Sequence, residues 1–312
     1  MRISNAFRIS IANFGLVFKN LLYKIIVFAL FIATVSLTLN IGLKPLTGYI
    51  ADILHEIKSV FLSVFSGGIT LSAIRETFGK LMEYLSSHIG DIVLTGVILV
   101  LITYVFMFLG GISDCVLTIL IREYMTSVSH LSFMRVLIEN LKRIVVYQLI
   151  SALINILCDA FIMFIAILFI SLTYSFMPIL SIFFGIAILV AFYALMQTIT
   201  GQMTAHYFTE NAKIGESIKK AFKTDKASFG KMYACYVTVI LAMFYLMISV
   251  TVFTFGVGMV LLVPICSLLL VSIKEVDYFT INKRKYFIDY DNIVVPKELR
   301  DNDEKLLNDI EI

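Results

Sequence analysis

Six long apolar runs dominate this chain, at residues 22–43, 92–112, 144–172, 179–200, 232–252 and 255–273. A helix needs about 20 residues to cross the ~30 Å hydrocarbon layer, and each run is near or beyond that length. In lipid the backbone of such a run is satisfied only within a helix or a closed barrel, and runs this long and uninterrupted select the helix. Charged residues make up 15% of the chain and hydrophobic ones 60%. A soluble domain carries about one quarter charged residues, so that class is excluded. The expected fold is an all-α polytopic membrane protein of about six transmembrane helices. The last two runs are separated only by the uncharged segment Thr254-Phe255-Gly256-Val257-Gly258, and a single bent helix there would give five spans.

Charge placement orients the chain. Of 25 Lys and Arg, 21 fall in residues 1–24, 113–143, 201–231 and 274–312, and the other four lie in residues 44–91. Connections rich in Lys and Arg stay inside, which gives an N-in/C-in arrangement; the opposite orientation would violate the rule at every connection. The first apolar run is longer than a secretory h-region and no small-x-small site follows it, so it reads as an uncleaved anchor. Cys115, Cys158, Cys235 and Cys266 fall in or beside spans without a C-x-x-C spacing, which fits packing rather than a disulfide or zinc framework. No cofactor is expected.

Three inner segments are amphipathic. Ile3, Phe7, Phe14, Phe18 and Leu21 share helical spacing in residues 3–21, as do Met134, Leu137, Ile138 and Leu141 in 131–143, and Ile214, Ile218, Ala221 and Phe222 in 213–223. Such helices lie in the headgroup layer with their basic side chains toward anionic lipid, which makes membrane lipids the expected partners. The outer connection 44–91 carries two further apolar stripes on either side of Ser66-Gly67-Gly68 and reads as a helical hairpin. A transmembrane domain would thus cover residues 1–275 and a cytoplasmic tail residues 276–312. In the tail, the β-forming segments Tyr278–Ile281 and Lys285–Tyr290 flank Asn282-Lys283-Arg284 as a candidate hairpin, followed by a strongly charged end.

Asp159 is the residue that most needs explaining. Near the middle of the third span an ionised carboxylate costs at least several kcal/mol unless paired or hydrated, and desolvation disfavours its charged form. At 100° per residue, Gln148, Ala152, Asn155 and Asp159 share one stripe. The fourth span carries a matching set, Tyr193, Gln197, Thr200, Gly201 and Thr204. Two readings stay open. A protonated Asp159 bonded to Asn155 or Gln197 would be interhelical packing glue, worth on the order of 1 kcal/mol. Alternatively, the two stripes line an inward-open cleft in which Asp159, Asn155, Gln148 and Gln197 bind a substrate. Asp114, after Gly110-Gly111, stands at the inner end of the second span, and those glycines permit close helix approach.

Catalytic motifs are absent. His55-Glu56 opens like a metalloprotease motif, but Ser59 holds the second histidine position. There is no P-loop, dinucleotide fingerprint or nucleophile elbow. No enzyme activity is expected, and nothing points to nucleic acid.

The order of elements, a basic amphipathic start, one span, an outer loop and then spans joined by basic inner helices, together with Ile214-Gly215-Glu216-Ser217-Ile218-Lys219-Lys220-Ala221, resembles a loose group of bacterial six-span membrane proteins. That group includes the membrane domain fused to some glycerophosphodiester phosphodiesterases. The resemblance covers residues 1–275 and implies a bacterial cytoplasmic membrane location. It carries no activity, because the soluble phosphodiesterase domain has no counterpart here. The expectation is a protein that binds or transports a small or amphiphilic substrate. The rival expectation is a scaffold or partner subunit of an envelope complex, using its inner helices and tail to hold another protein.

Overall fold

A computed structural model of the protein describes residues 2–42, 79, 89–174 and 177–296. Among these, eight helices follow in order: α1 (Arg2–Ala12), α2 (Gly15–Gly42), α3 (Ile89–Ser127), α4 (Phe133–Tyr174), α5 (Pro178–Thr209), α6 (Ile214–Phe222), α7 (Lys226–Thr254) and α8 (Met259–Ile281). The short strands β1 (Tyr286–Phe287) and β2 (Ile293–Val294) close the described chain as an antiparallel pair. Helices α2, α3, α4, α5, α7 and α8 are each long and apolar enough to cross a membrane. The chain is therefore an all-α, multi-pass membrane protein with six candidate spans. The outer hairpin expected in 44–91 lies outside the described residues except at residue 79 and at its last positions, where Ile89 opens α3.

Helices α7 and α8 are separate. Phe255 takes a left-handed conformation (φ 49°) and Gly256 follows at φ 87°, a value that a side chain would strain. The α7 ladder stops there, with Gly256 N–H donating back to Thr251 O at 2.9 Å. One bent helix is thereby excluded.

The chain divides into two compact units, Met1–Ile25 with Met107–Ile312, and Ile26–Phe106. Within the second, the rings of Phe31 and Phe106 meet edge to face at 5.2 Å. Within the first, α4 packs along α5, α5 along α6 and α7, and α8 against α1, α5 and α7. At 1.5 Å per residue the 42 residues of α4 extend about 63 Å, roughly twice the hydrocarbon thickness. Residues 133–143 are accordingly the first turns of one unbroken helix rather than a separate element lying flat.

Burial shows how the extra length is used. Large side chains along α4, including Leu157, Phe161 and Phe164, are exposed, as lipid-facing positions are. Buried residues instead concentrate at the end of the first unit that holds α1, α6 and the hairpin: Ile119, Ile121, Met125, Phe208, Val276 and Phe279 are each under 5% exposed. By the charge bias this is the inner end. Helix α1 buries Asn5, Ala6, Ile9 and Ser10 while Ile3, Phe7 and Ile11 stay exposed, so it packs on the protein with one face and leaves an apolar face free.

The tail differs from expectation. Tyr278–Ile281 forms the last turn of α8, with Tyr278 fully buried, and the strands pair Tyr286 with Val294 and Phe287 with Ile293. The apolar periodicity of α8 continues through Val276 and Phe279, so the helix continues too. Asp289 turns the hairpin by accepting from Asn292 Nδ2 at 2.6 Å and Asp291 N at 3.1 Å. Residues 276–296 belong to the same unit as residues 107–275.

Candidate functional site

Helices α4 and α5, which carry the polar stripes, make the most extensive helix–helix contact among the described residues. On α4, Ala152 and Ala166 are buried, small enough to admit the neighbouring helix. On α5, Gln197, Thr198, Thr200 and Thr204 are all under 9% exposed. The threonines turn back on their own helix: Thr200 Oγ1 donates to Met196 O and Thr198 Oγ1 to Ala194 O. Tyr147 OH and Thr204 Oγ1 join the two helices at 2.6 Å.

The four residues singled out from the sequence are not equivalent. Gln148 is committed to α3: its Nε2 donates to Met107 O at 3.3 Å and its Oε1 accepts from Cys115 Sγ at 3.6 Å. It occupies space that Gly111 leaves open, since a Cβ there would lie 1.8 Å from Nε2. Of the Gly110-Gly111 pair only Gly111 is needed for close approach; a Cβ on Gly110 meets nothing within 4 Å. Asn155 and Gln197 differ from Gln148 in keeping an unsatisfied end. Asn155 Oδ1 and Gln197 Oε1 are both buried with no hydrogen-bond partner. Asp159 is half-buried and has neither a hydrogen bond nor an ion pair among the described residues. Tyr193, one turn before Gln197 and 37% exposed, lies within electrostatic reach of both Asp159 and Asp114. A carboxyl, a phenol and two unsatisfied amides can together donate to and accept from a polar guest or water.

A second set of ionisable groups, at the inner end, was not visible as a cluster in sequence. Lys24 of α2 donates to Asp114 of α3 at 2.9 Å and to Ser267 of α8 at 3.1 Å, and Ser267 Oγ donates to Asp114 at 2.6 Å. Asp114 thus belongs to a three-helix clasp. Arg2 of α1 donates to Asp277 of α8 at 2.9 Å, and Asp277 has no exposed side-chain surface. Arg8 pairs with Asp289 at the hairpin turn, also at 2.9 Å. The hydrogen bond from Asn292 holds Asp289 below the usual carboxylate range, with Arg8 assisting. Glu275 is fully buried with neither oxygen hydrogen-bonded, near Arg122 and Lys274. By sequence, Glu275 fell at the last position of the expected transmembrane domain and Asp277 at the start of the expected tail. The signal that places them inside is the unbroken helical spacing of Leu268, Val271, Val276 and Phe279 around them.

Glu210, just past α5, is the hub of the inner end. It accepts from Lys220 Nζ at 2.5 Å and Tyr278 OH at 2.7 Å, while His206 Nδ1 lies 3.1 Å away without an aligned hydrogen bond. Arg143 binds Tyr207 O and Asn211 Oδ1 and stacks over the Tyr207 ring at 4.9 Å, which ties α4 to the end of α5. Two cavities flank this region. One of about 350 Å³ is lined by Glu139, Asn140, Lys142, Arg143, Val146 and Tyr207. One of about 260 Å³ is lined by residues including Gln202, His206, Lys220 and Lys223. Neither includes Asp159. Among the described residues no group of three or more His, Cys, Asp or Glu is placed to hold a metal ion.

Comparison with family profiles, with curated proteins and with solved structures returned no match.

Proposed function

We propose that this integral membrane protein binds, and through that binding transports, a small polar or amphiphilic substrate at the seam between α4 and α5, in the cytoplasmic membrane of a bacterium. The observation that supports this reading is the pair of buried, unsatisfied amide oxygens on Asn155 and Gln197 beside an unpartnered Asp159. A buried acceptor without a donor costs about 1–3 kcal/mol, and proteins rarely keep two in one seam without a use. A bound guest or its water supplies the missing donors. Asp159 and Tyr193 would hold the polar part of the guest, Asn155 and Gln197 would orient it, and Gln148 would keep α3 against α4. Transport then requires the guest to favour one of two states of the seam, with the protonation of Asp159 as a bias between them.

Native mass spectrometry of protein extracted gently with its own lipid tests the reading. A small molecule carried by wild type and lost from Asp159→Asn supports it. A stoichiometric protein partner carried equally by both, with no small molecule, replaces it with the scaffold.

A further inference from the structure

The 260 Å³ cavity shares no residue with the α4–α5 seam residues assigned above. It opens where α5, α6 and α8 meet and is lined by Gln202, His206, Lys220, Lys223, Asp225 and Asn282, with Ile281 as an apolar wall. Most of its polar atoms already have partners. Lys220 reaches Glu210, Asn282 Nδ2 donates to Tyr278 O, and Gln202 Nε2 lies 3.2 Å from Met232 Sδ. Asp225, the acid on this wall, is spent on the start of α7, where it accepts from Ala227 N at 3.1 Å and Ser228 N at 3.2 Å.

One cation is left over, above a buried imidazole. The Lys223 ammonium has no hydrogen bond or ion pair among the described residues and is exposed. Beneath it, His206 is 8% exposed, and its Nδ1 lies 3.1 Å from Glu210 without an aligned hydrogen bond. Around them, residues 213–226 carry five lysines against Glu216 and Asp225. A concave site with an unspent cation, a buried polar floor and a local excess of positive charge is built for an anion. A lysine has three donors, so Lys220 can keep Glu210 and still meet a second oxygen acceptor.

The geometry points to this cavity as a binding site for a phosphate-bearing anion, held by Lys223 and Lys220 over His206. The phosphate arrives either on an inner-leaflet lipid or on a soluble phosphate compound. Phe222, next to Lys223 and 68% exposed, and Ile281 in the wall supply apolar surface beside the charge, which suits an amphiphile. The site stands independently of the α4–α5 seam.

The test is a titration of the intact, detergent-purified protein with dioleoylphosphatidylglycerol and, separately, dioleoylphosphatidylcholine, read by native mass spectrometry. Lys223→Gln, Lys223→Arg and the control Lys285→Gln are run alongside. Both positions are exposed, so folding is not at stake. Wild type should prefer phosphatidylglycerol, Lys223→Gln should weaken that binding about fivefold, and Lys223→Arg should retain it. Competition by millimolar inorganic phosphate assigns the site to a soluble phosphate compound, and binding indifferent to phosphate assigns it to the lipid. Equal binding of both lipids, or the same loss from Lys285→Gln as from Lys223→Gln, overturns the site in favour of unspecific surface charge.

Discussion

Glu210 sits just past the C-terminal end of α5, where the helix dipole opposes a carboxylate. Burial would raise its carboxyl further, yet the hydrogen bonds from Lys220 and Tyr278 and the contact with His206 outweigh both and hold it down at about 2. A folded value below the unfolded one means that the stabilisation is present above pH 4.5 and is lost as pH falls toward 2. Thermal unfolding in detergent should therefore weaken across that acid window, and Glu210→Gln should remove part of the slope. Gly111 gives a second prediction at this scale. Gly111→Ala drives a Cβ into the Gln148 amide, which should cost about 1–3 kcal/mol; Gly111→Ala with Gln148→Ala should recover part of the loss in the same melt. The sequence marked the glycine pair as a place of close approach. Which of the two is needed, and that Gln148 fills the gap rather than a cleft, depends on the rotation of α3 against α4, which no local pattern encodes.

Helix α1 is joined to α8 and the hairpin through Arg2–Asp277, Arg8–Asp289 and the bond from Asn5 Nδ2 to Tyr286 OH at 2.9 Å. These are unequal. Arg8–Asp289 is solvated at both ends and contributes little. Removing Arg2 instead leaves Asp277 buried without its counter-charge, at a cost of about 3–5 kcal/mol. Arg2→Ala should thus speed hydrogen exchange throughout α1, Arg8→Ala should barely change it, and Asp277→Asn should fall between, because it removes the charge along with the partner. Equal exchange in all three would place the docking energy in the packing of Ala6 and Ile9 on the buried face of α1. The amphipathic period of α1 was legible, and so was its free apolar stripe. Its docking partner was not, because the partner acids lie 275 and 281 residues away along the chain.

At the scale of the molecule, six candidate spans and an N-terminal helix paired with the C-terminal hairpin put both ends of the described chain on one side. Reporter fusions at the two termini should give the same side, and the charge bias says that it is the inside. Span number, helical class and charge asymmetry were readable because lipid imposes them locally, about 20 residues at a time. The buried inner end was not, because nothing local to Glu275 and Asp277 marks them as buried until the helix around them is known to continue. For the seam, sequence supplied the polar stripes, but only the packing separates Gln148, which is satisfied, from Asn155 and Gln197, which are not. Entry of a polar guest into this seam is open to a direct thiol-accessibility measurement. Asp159→Cys, in a chain whose four native cysteines are serine, is treated with a membrane-impermeant maleimide in inside-out vesicles, with Lys142→Cys as the labelled control. Position 159 should be labelled from the inner side. Labelling at 142 with none at 159 from either side would mean a dry seam, and Asp159 would then be packing rather than a site.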